Sequence, residues 1–180
     1  MKILFLHGLE SQPNCTKVEW LKAQGHHVYN PTLDYKNKDQ FNECKKIIKA
    51  FLPELIIGSS MGGYFALELA KIYDIPVMLL NPALHSRSFE PVVEKLDPDL
   101  EFHPLVFIGL GKYDKVINYA KTLDILDDNA LCFFRGNYLK GDHGHRTPLD
   151  FFKTVFTLTE TRLKRWWRRT ARIHPVTTSK

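Results

Sequence analysis

An apolar run, Glu54-Leu55-Ile56-Ile57, passes through Gly58-Ser59-Ser60-Met61-Gly62 and straight into a helical pattern from Gly63 onward. Few chain paths satisfy that succession, because a strand must end, turn sharply and restart as helix around one serine. This is the strand, turn, helix setting of a nucleophile elbow. The middle serine is expected in a strained backbone conformation, with glycines two residues to either side leaving room for chain and substrate. Ser60 is the candidate nucleophile.

The rest of the chain repeats the alternation. Strands are expected at Lys2 to Leu6, His27 to Asn30, Leu55 to Gly58, Val77 to Leu80, Leu105 to Gly109 and Leu131 to Phe134. Helices are expected around Thr16 to Gln24, Asp39 to Phe51, Gly63 to Tyr73, Phe89 to Leu96, Ile117 to Leu126 and Pro148 to Thr161. Short, nearly all-apolar strands between helices imply a parallel sheet covered on both faces. Right-handed crossovers then give an α/β fold, a three-layer α/β/α sandwich with about six strands. In such a sheet the reactive groups gather beyond the carboxyl ends of the strands.

Read in that order, the loops supply a set of partners. The first, His7-Gly8-Leu9-Glu10-Ser11, ends its strand in a turn that aims a backbone N–H toward the serine. Leu9 N–H and Met61 N–H are assigned to an oxyanion hole, where each such donor can contribute about 3 kcal/mol of transition-state stabilisation. His7 reads as a histidine tying the turn to its neighbours, and with Gly8 it stands beside the substrate.

Asp114, in the loop after the fifth strand, is either a helix N-cap or the acid of a triad. The loop Gly136 to His145 then brings His143 and His145 just ahead of the last helix. Serine, acid, histidine is the chain order of α/β-hydrolases. A serine hydroxyl needs a neutral imidazole to take its proton, and the imidazolium needs a carboxylate to orient and stabilise it. His143 is expected as the base, Asp142 as a brace of the loop, and His145 as a substrate contact or a solvent-exposed group.

Four segments together resemble a known family: Ile3 to Pro13, Ile56 to Ala66, Leu79-Leu80-Asn81-Pro82-Ala83 and Gly141-Asp142-His143. In that order they are similar to the small bacterial YqiA/YcfP-type esterases, which are α/β-hydrolases without a cap. The resemblance implies Ser60 as nucleophile, Asp114 as acid and His143 as base, with hydrolysis of carboxylic ester or thioester substrates and no cofactor. Here the expected base is followed by Gly144-His145-Arg146, which makes the rim beside it more polar and basic.

Composition narrows the alternatives. With 180 residues, 44% of them hydrophobic, the chain suits one folded domain, expected at 1–160 with a basic extension at 161–180. The +5 charge belongs to that extension, whose seven bases and no acid leave 18 bases against 20 acids in residues 1–160. The body is therefore no nucleic-acid binder by charge.

Cys15, Cys44 and Cys132 form no C-x-x-C pair and read as reduced thiols, and no zinc-like spacing appears, so no metal is expected. The short apolar start, Ile3 to Leu6, suits neither a signal peptide nor a membrane span, and a cytoplasmic protein is expected.

Residues 82–103 form the one sizeable insertion, from which His85 and Phe89 are expected either to contribute to a substrate pocket or simply to pack. In the tail, Leu163, Trp166, Trp167 and Thr170 share one helical face opposite Arg162, Arg165, Arg169 and Arg172. Arg162 to Arg172 could extend the last helix, lie on an anionic membrane, or meet nucleic acid. The rival to an enzyme is a hydrolase-like scaffold used for binding or assembly, with the tail carrying function.

Overall fold

The computed structural model describes residues 1–95, 105–128 and 138–173. Its elements are β1 (Lys2–Leu6), α1 (Thr16–Ala23), β2 (His27–Tyr29), α2 (Gln40–Phe51), β3 (Leu55–Ser59), α3 (Met61–Tyr73), β4 (Val77–Leu80), β5 (Val106–Gly111), α4 (Tyr119–Asp128), β6 (Tyr138–Gly141) and α5 (Leu149–Ile173). The strands form a six-stranded sheet in the order β2-β1-β3-β4-β5-β6, and every pairing is parallel.

Strand pleating explains the two cores, because alternate residues face opposite sides of the sheet. Ile3, Phe5, Leu55, Ile57, Met78, Leu80 and Phe107 pack on one side with Val18 and Leu21 of α1 and Phe152, Val155 and Phe156 of α5. Leu4, Leu6, Ile56, Val77, Leu79, Val106 and Ile108 pack on the other with α2, α3 and Leu126 of α4. Both faces are covered, as the apolar strands require, and the result is the three-layer α/β sandwich.

The sheet order reverses at β1, which lies between β2 and β3. That is the topological switch point where parallel sheets open a crevice beyond their strand ends. Register aligns those ends, with Leu6 opposite Gly58, Ser59 opposite Leu80, and Gly111 opposite Gly141. The loops after β1, β3, β4, β5 and β6 therefore emerge along one edge.

Three local expectations are corrected. No helix forms over residues 89–95 (Leu96 lies outside the described residues). Just ahead of it, the Arg87 guanidinium donates to the carbonyls of Ala83 and Leu84 and to the Glu90 carboxylate, which ties down the start of the segment. Phe89 and Val93 still pack against the core. The strand expected at Leu131 to Phe134 lies outside the described residues; the sixth strand of the sheet is Tyr138–Gly141, within a segment read as loop.

The third correction concerns the end of the last helix, expected near Thr161: it runs unbroken from Leu149 to Ile173, in line with the reading of Arg162 to Arg172 as an extension of that helix. Leu163 is fully buried and Trp167 packs on the same core, whereas Trp166 is exposed and departs from the apolar face expected of it.

Candidate active site

Ser60 is the residue between β3 and α3, and its backbone has φ 53° and ψ −118°. A non-glycine residue accepts that conformation only when its surroundings impose it. Here the amide of Ser60 donates to Leu80 O at 3.0 Å, and its carbonyl accepts from Gly63, Tyr64 and Ala83 amides. Close packing explains the flanking glycines: a Cβ on Gly62 would collide with the carbonyls of Leu6 and His7, and one on Gly58 with the Gly62 carbonyl. The elbow is thus wedged between the end of β1 and the start of α3.

His145 Nε2 lies 3.1 Å from Ser60 Oγ, and His145 Nδ1 lies 2.8 Å from Asp114 Oδ2. In a neutral imidazole this is Nδ1–H donating to the carboxylate and Nε2 accepting from the hydroxyl. The Asp114 side chain is fully enclosed, while that of His145 is 33% exposed. Asp114 Oδ1 accepts from Val116 and Ile117 amides at 2.8 and 2.9 Å. Its two oxygens therefore pin a turn and contact a histidine, and the helix N-cap weighed for it from sequence falls to Asn118. The turn it pins precedes α4, whose own first amides bond to Asn118 Oδ1.

The histidine that reaches Ser60 is His145, not the expected His143. The His143 amide donates to Gly141 O and its carbonyl accepts from Tyr113 N–H, so its backbone is bound to the strand ends. Its ring lies against Phe151, with centroids 4.6 Å apart, and Nδ1 bonds to Gly144 O. One residue further on, Asn81 Nδ2 donates to the carbonyls of Gly144 and His145, while Asn81 Oδ1 accepts from Gly111 N–H. Asn81 is buried, takes φ 41°, and ties the ends of β4 and β5 to the histidine loop. The sequence reading missed this positioning role, although Asn81 stood in one of the motifs quoted above.

The remaining expected residues separate into two groups. Gly8, Leu9, Met61 and His145 line a cleft of about 580 Å³ in front of Ser60. His7 and His85 lie outside that lining, and His7 borders an adjoining hollow. His7 is buried; its Nδ1 bonds to Gly8 O and its Nε2 accepts from Leu33 N–H, so both ring nitrogens hold the first loop in place. His85 Nε2 bonds to Asn118 O at 3.0 Å, joining the insertion to the start of α4.

The chain matches the uncharacterised protein family UPF0227 over residues 2–101. It belongs to that family. The matched span includes Gly8, Ser60 and Asn81 and stops short of Asp114 and His145.

Among solved structures, the chain is similar to a monoacylglycerol lipase from Paleococcus ferrophilus, with 14% identity, coverage of 91% of this chain and 94% of the other, and a TM-score of 0.66. It is also similar to mouse alpha/beta hydrolase domain-containing protein 10, at 14% identity, 91% and 90% coverage and a TM-score of 0.63. The esterase domain of a Rhodothermus marinus protein matches at 19% identity, 93% and 86% coverage and a TM-score of 0.57. At these identities the likeness concerns the fold, which is that of the α/β-hydrolases. None of the described helices is long and apolar enough to cross a membrane.

Proposed function

We propose that this family member is a serine hydrolase of carboxylic ester or thioester bonds, with Ser60 as nucleophile, His145 as general base and acid, and Asp114 orienting the imidazole. The observation that carries this reading is the continuous relay from Ser60 Oγ through His145 to Asp114, at 3.1 and 2.8 Å. Hydroxyl, imidazole and carboxylate come from three separate loops, and general-base activation requires that contact distance.

In the proposed reaction Ser60 Oγ attacks the carbonyl carbon as its proton passes to His145 Nε2. The carbonyl oxygen, now an anion, meets the N–H groups of Leu9 and Met61. Collapse breaks the bond to the alcohol or thiol, which leaves with the proton from His145. Water then attacks the acyl-enzyme, His145 takes a proton from it, and the acid departs as Ser60 regains its hydroxyl.

A fluorophosphonate probe tests this through the mass of the intact protein. Labelling of the wild type should vanish in Ser60→Ala and fall by about a thousandfold in rate in His145→Ala, and it should persist in His143→Ala. No labelling of folded wild type would instead favour a binding scaffold. Labelling that survives in Ser60→Ala would remove the assignment of the nucleophile.

A further inference from the structure

The cleft in front of Ser60 carries basic side chains. Lys17, in the first turn of α1, and Arg146, next to His145, both line it, and both also line an adjoining hollow of about 410 Å³. Among the described residues, no carboxylate forms an ion pair with either one. The other arginine on the cleft, Arg87, is by contrast bound to Glu90. Glu10, exposed, lines both the cleft and the hollow without pairing with either base.

Lys17 is half-buried, and burial lowers the pKa of its ammonium; the charge of Arg146 acts in the same direction, against an opposing effect of Cys15. Arg146 is exposed, so only the Lys17 ammonium is partly desolvated, and that makes a counter-ion at Lys17 favourable. The positive end of α1, at Thr16, adds to the same sign.

A second observation concerns the same wall of the cleft. Thr147 is only 4% exposed, it lines the cleft, and its Oγ1 is buried without a hydrogen-bond partner among the described residues. Buried hydroxyls are nearly always bonded, and an exception calls for a missing partner.

We propose that Lys17, Arg146 and Thr147 form an anion subsite beside Ser60, which takes a carboxylate or phosphate carried by the ester substrate. This rests on the hydrolase reading above. The charge could sit on the acyl side or on the leaving-group side, and matched pairs of esters separate the two.

Mono-p-nitrophenyl adipate against p-nitrophenyl hexanoate tests the acyl side. The acetyl esters of 4-hydroxybenzoate and 4-hydroxyphenyl phosphate, against 4-methylphenyl acetate, test the leaving group. In the full-length wild type, kcat/KM for the anionic member of one series should exceed its neutral partner by about tenfold, and the ratio should shrink as salt is raised.

That ratio should fall about fivefold in Lys17→Gln and in Arg146→Gln, fall also in Thr147→Val, and be retained in Lys17→Arg. Because each ratio is taken within one variant, a general loss of activity from disturbing His145 cancels. Turnover of neutral esters without an anionic preference in either series, or a ratio unchanged in Lys17→Gln, Arg146→Gln and Thr147→Val, would overturn the subsite and leave the hydrolase intact. Absence of turnover with every ester would remove the hydrolase reading and the subsite with it.

Discussion

Asp114 divides its oxygens between the backbone and His145, and that division makes its roles separable. In Asp114→Asn, Oδ1 can still accept from Val116 and Ile117, while an amide group in place of Oδ2 offers no acceptor to His145 Nδ1–H. We expect kcat on p-nitrophenyl esters to drop by about a thousandfold or more, with urea unfolding shifted by less than about 1 kcal/mol. Parallel losses of activity and stability would instead make Asp114 a structural cap. Asn81 is the other residue on which the site's geometry rests, since its amide joins Gly111 to the carbonyls of Gly144 and His145. No local pattern distinguishes His143 from His145. Both lie in one short Gly-Asp-His-Gly-His string, and the choice is made by Asn81 from 64 residues away.

At the scale of elements, α5 explains how the basic tail relates to the body. Its apolar face continues past residue 160 through Leu163, fully buried, to Trp167, while Lys164, Arg165, Trp166 and Arg168 are exposed. Leu163→Ala should cost about 2–5 kcal/mol in urea unfolding, because it leaves a cavity against the sheet. Trp166→Ala should cost less than about 1 kcal/mol. Equal costs would mean that the helix packs differently beyond Thr161.

The elements legible from sequence were those with their own strong pattern: β1, β3, β4 and α2 lie where their apolar runs and helical period put them. The segment at 89–95 was misread because its apolar spacing suits a helix, whereas Phe89 and Val93 reach the core from an irregular backbone whose start is tied to Arg87 through Glu90. β6 was missed because Tyr138-Leu139-Lys140-Gly141 has little apolar character, and its strand conformation comes from pairing with β5.

Across the whole molecule, the two cores enclose everything between the layers, including Cys44 on α2. Burial pushes its thiol pKa up to about 12, so at pH 8 it stays protonated and inert. We expect peptide mass spectrometry after native alkylation to find Cys15 modified and Cys44 unmodified, with Cys44 reacting only in denaturant. Early modification of Cys44 would show that the face bearing α2 opens well below global unfolding.

Sequence by itself determined the layered architecture and the strand, turn, helix setting of Ser60. Hydrophobic period and turn chemistry are local properties, and a parallel sheet follows from their alternation. Tertiary structure alone decided which histidine meets Ser60 and which oxygen of Asp114 it uses. It also decided that Lys17, Arg146 and Thr147 share one wall. Those contacts join loops from distant parts of the chain, and their geometry is created only when strand register brings the loop ends to one edge of the sheet.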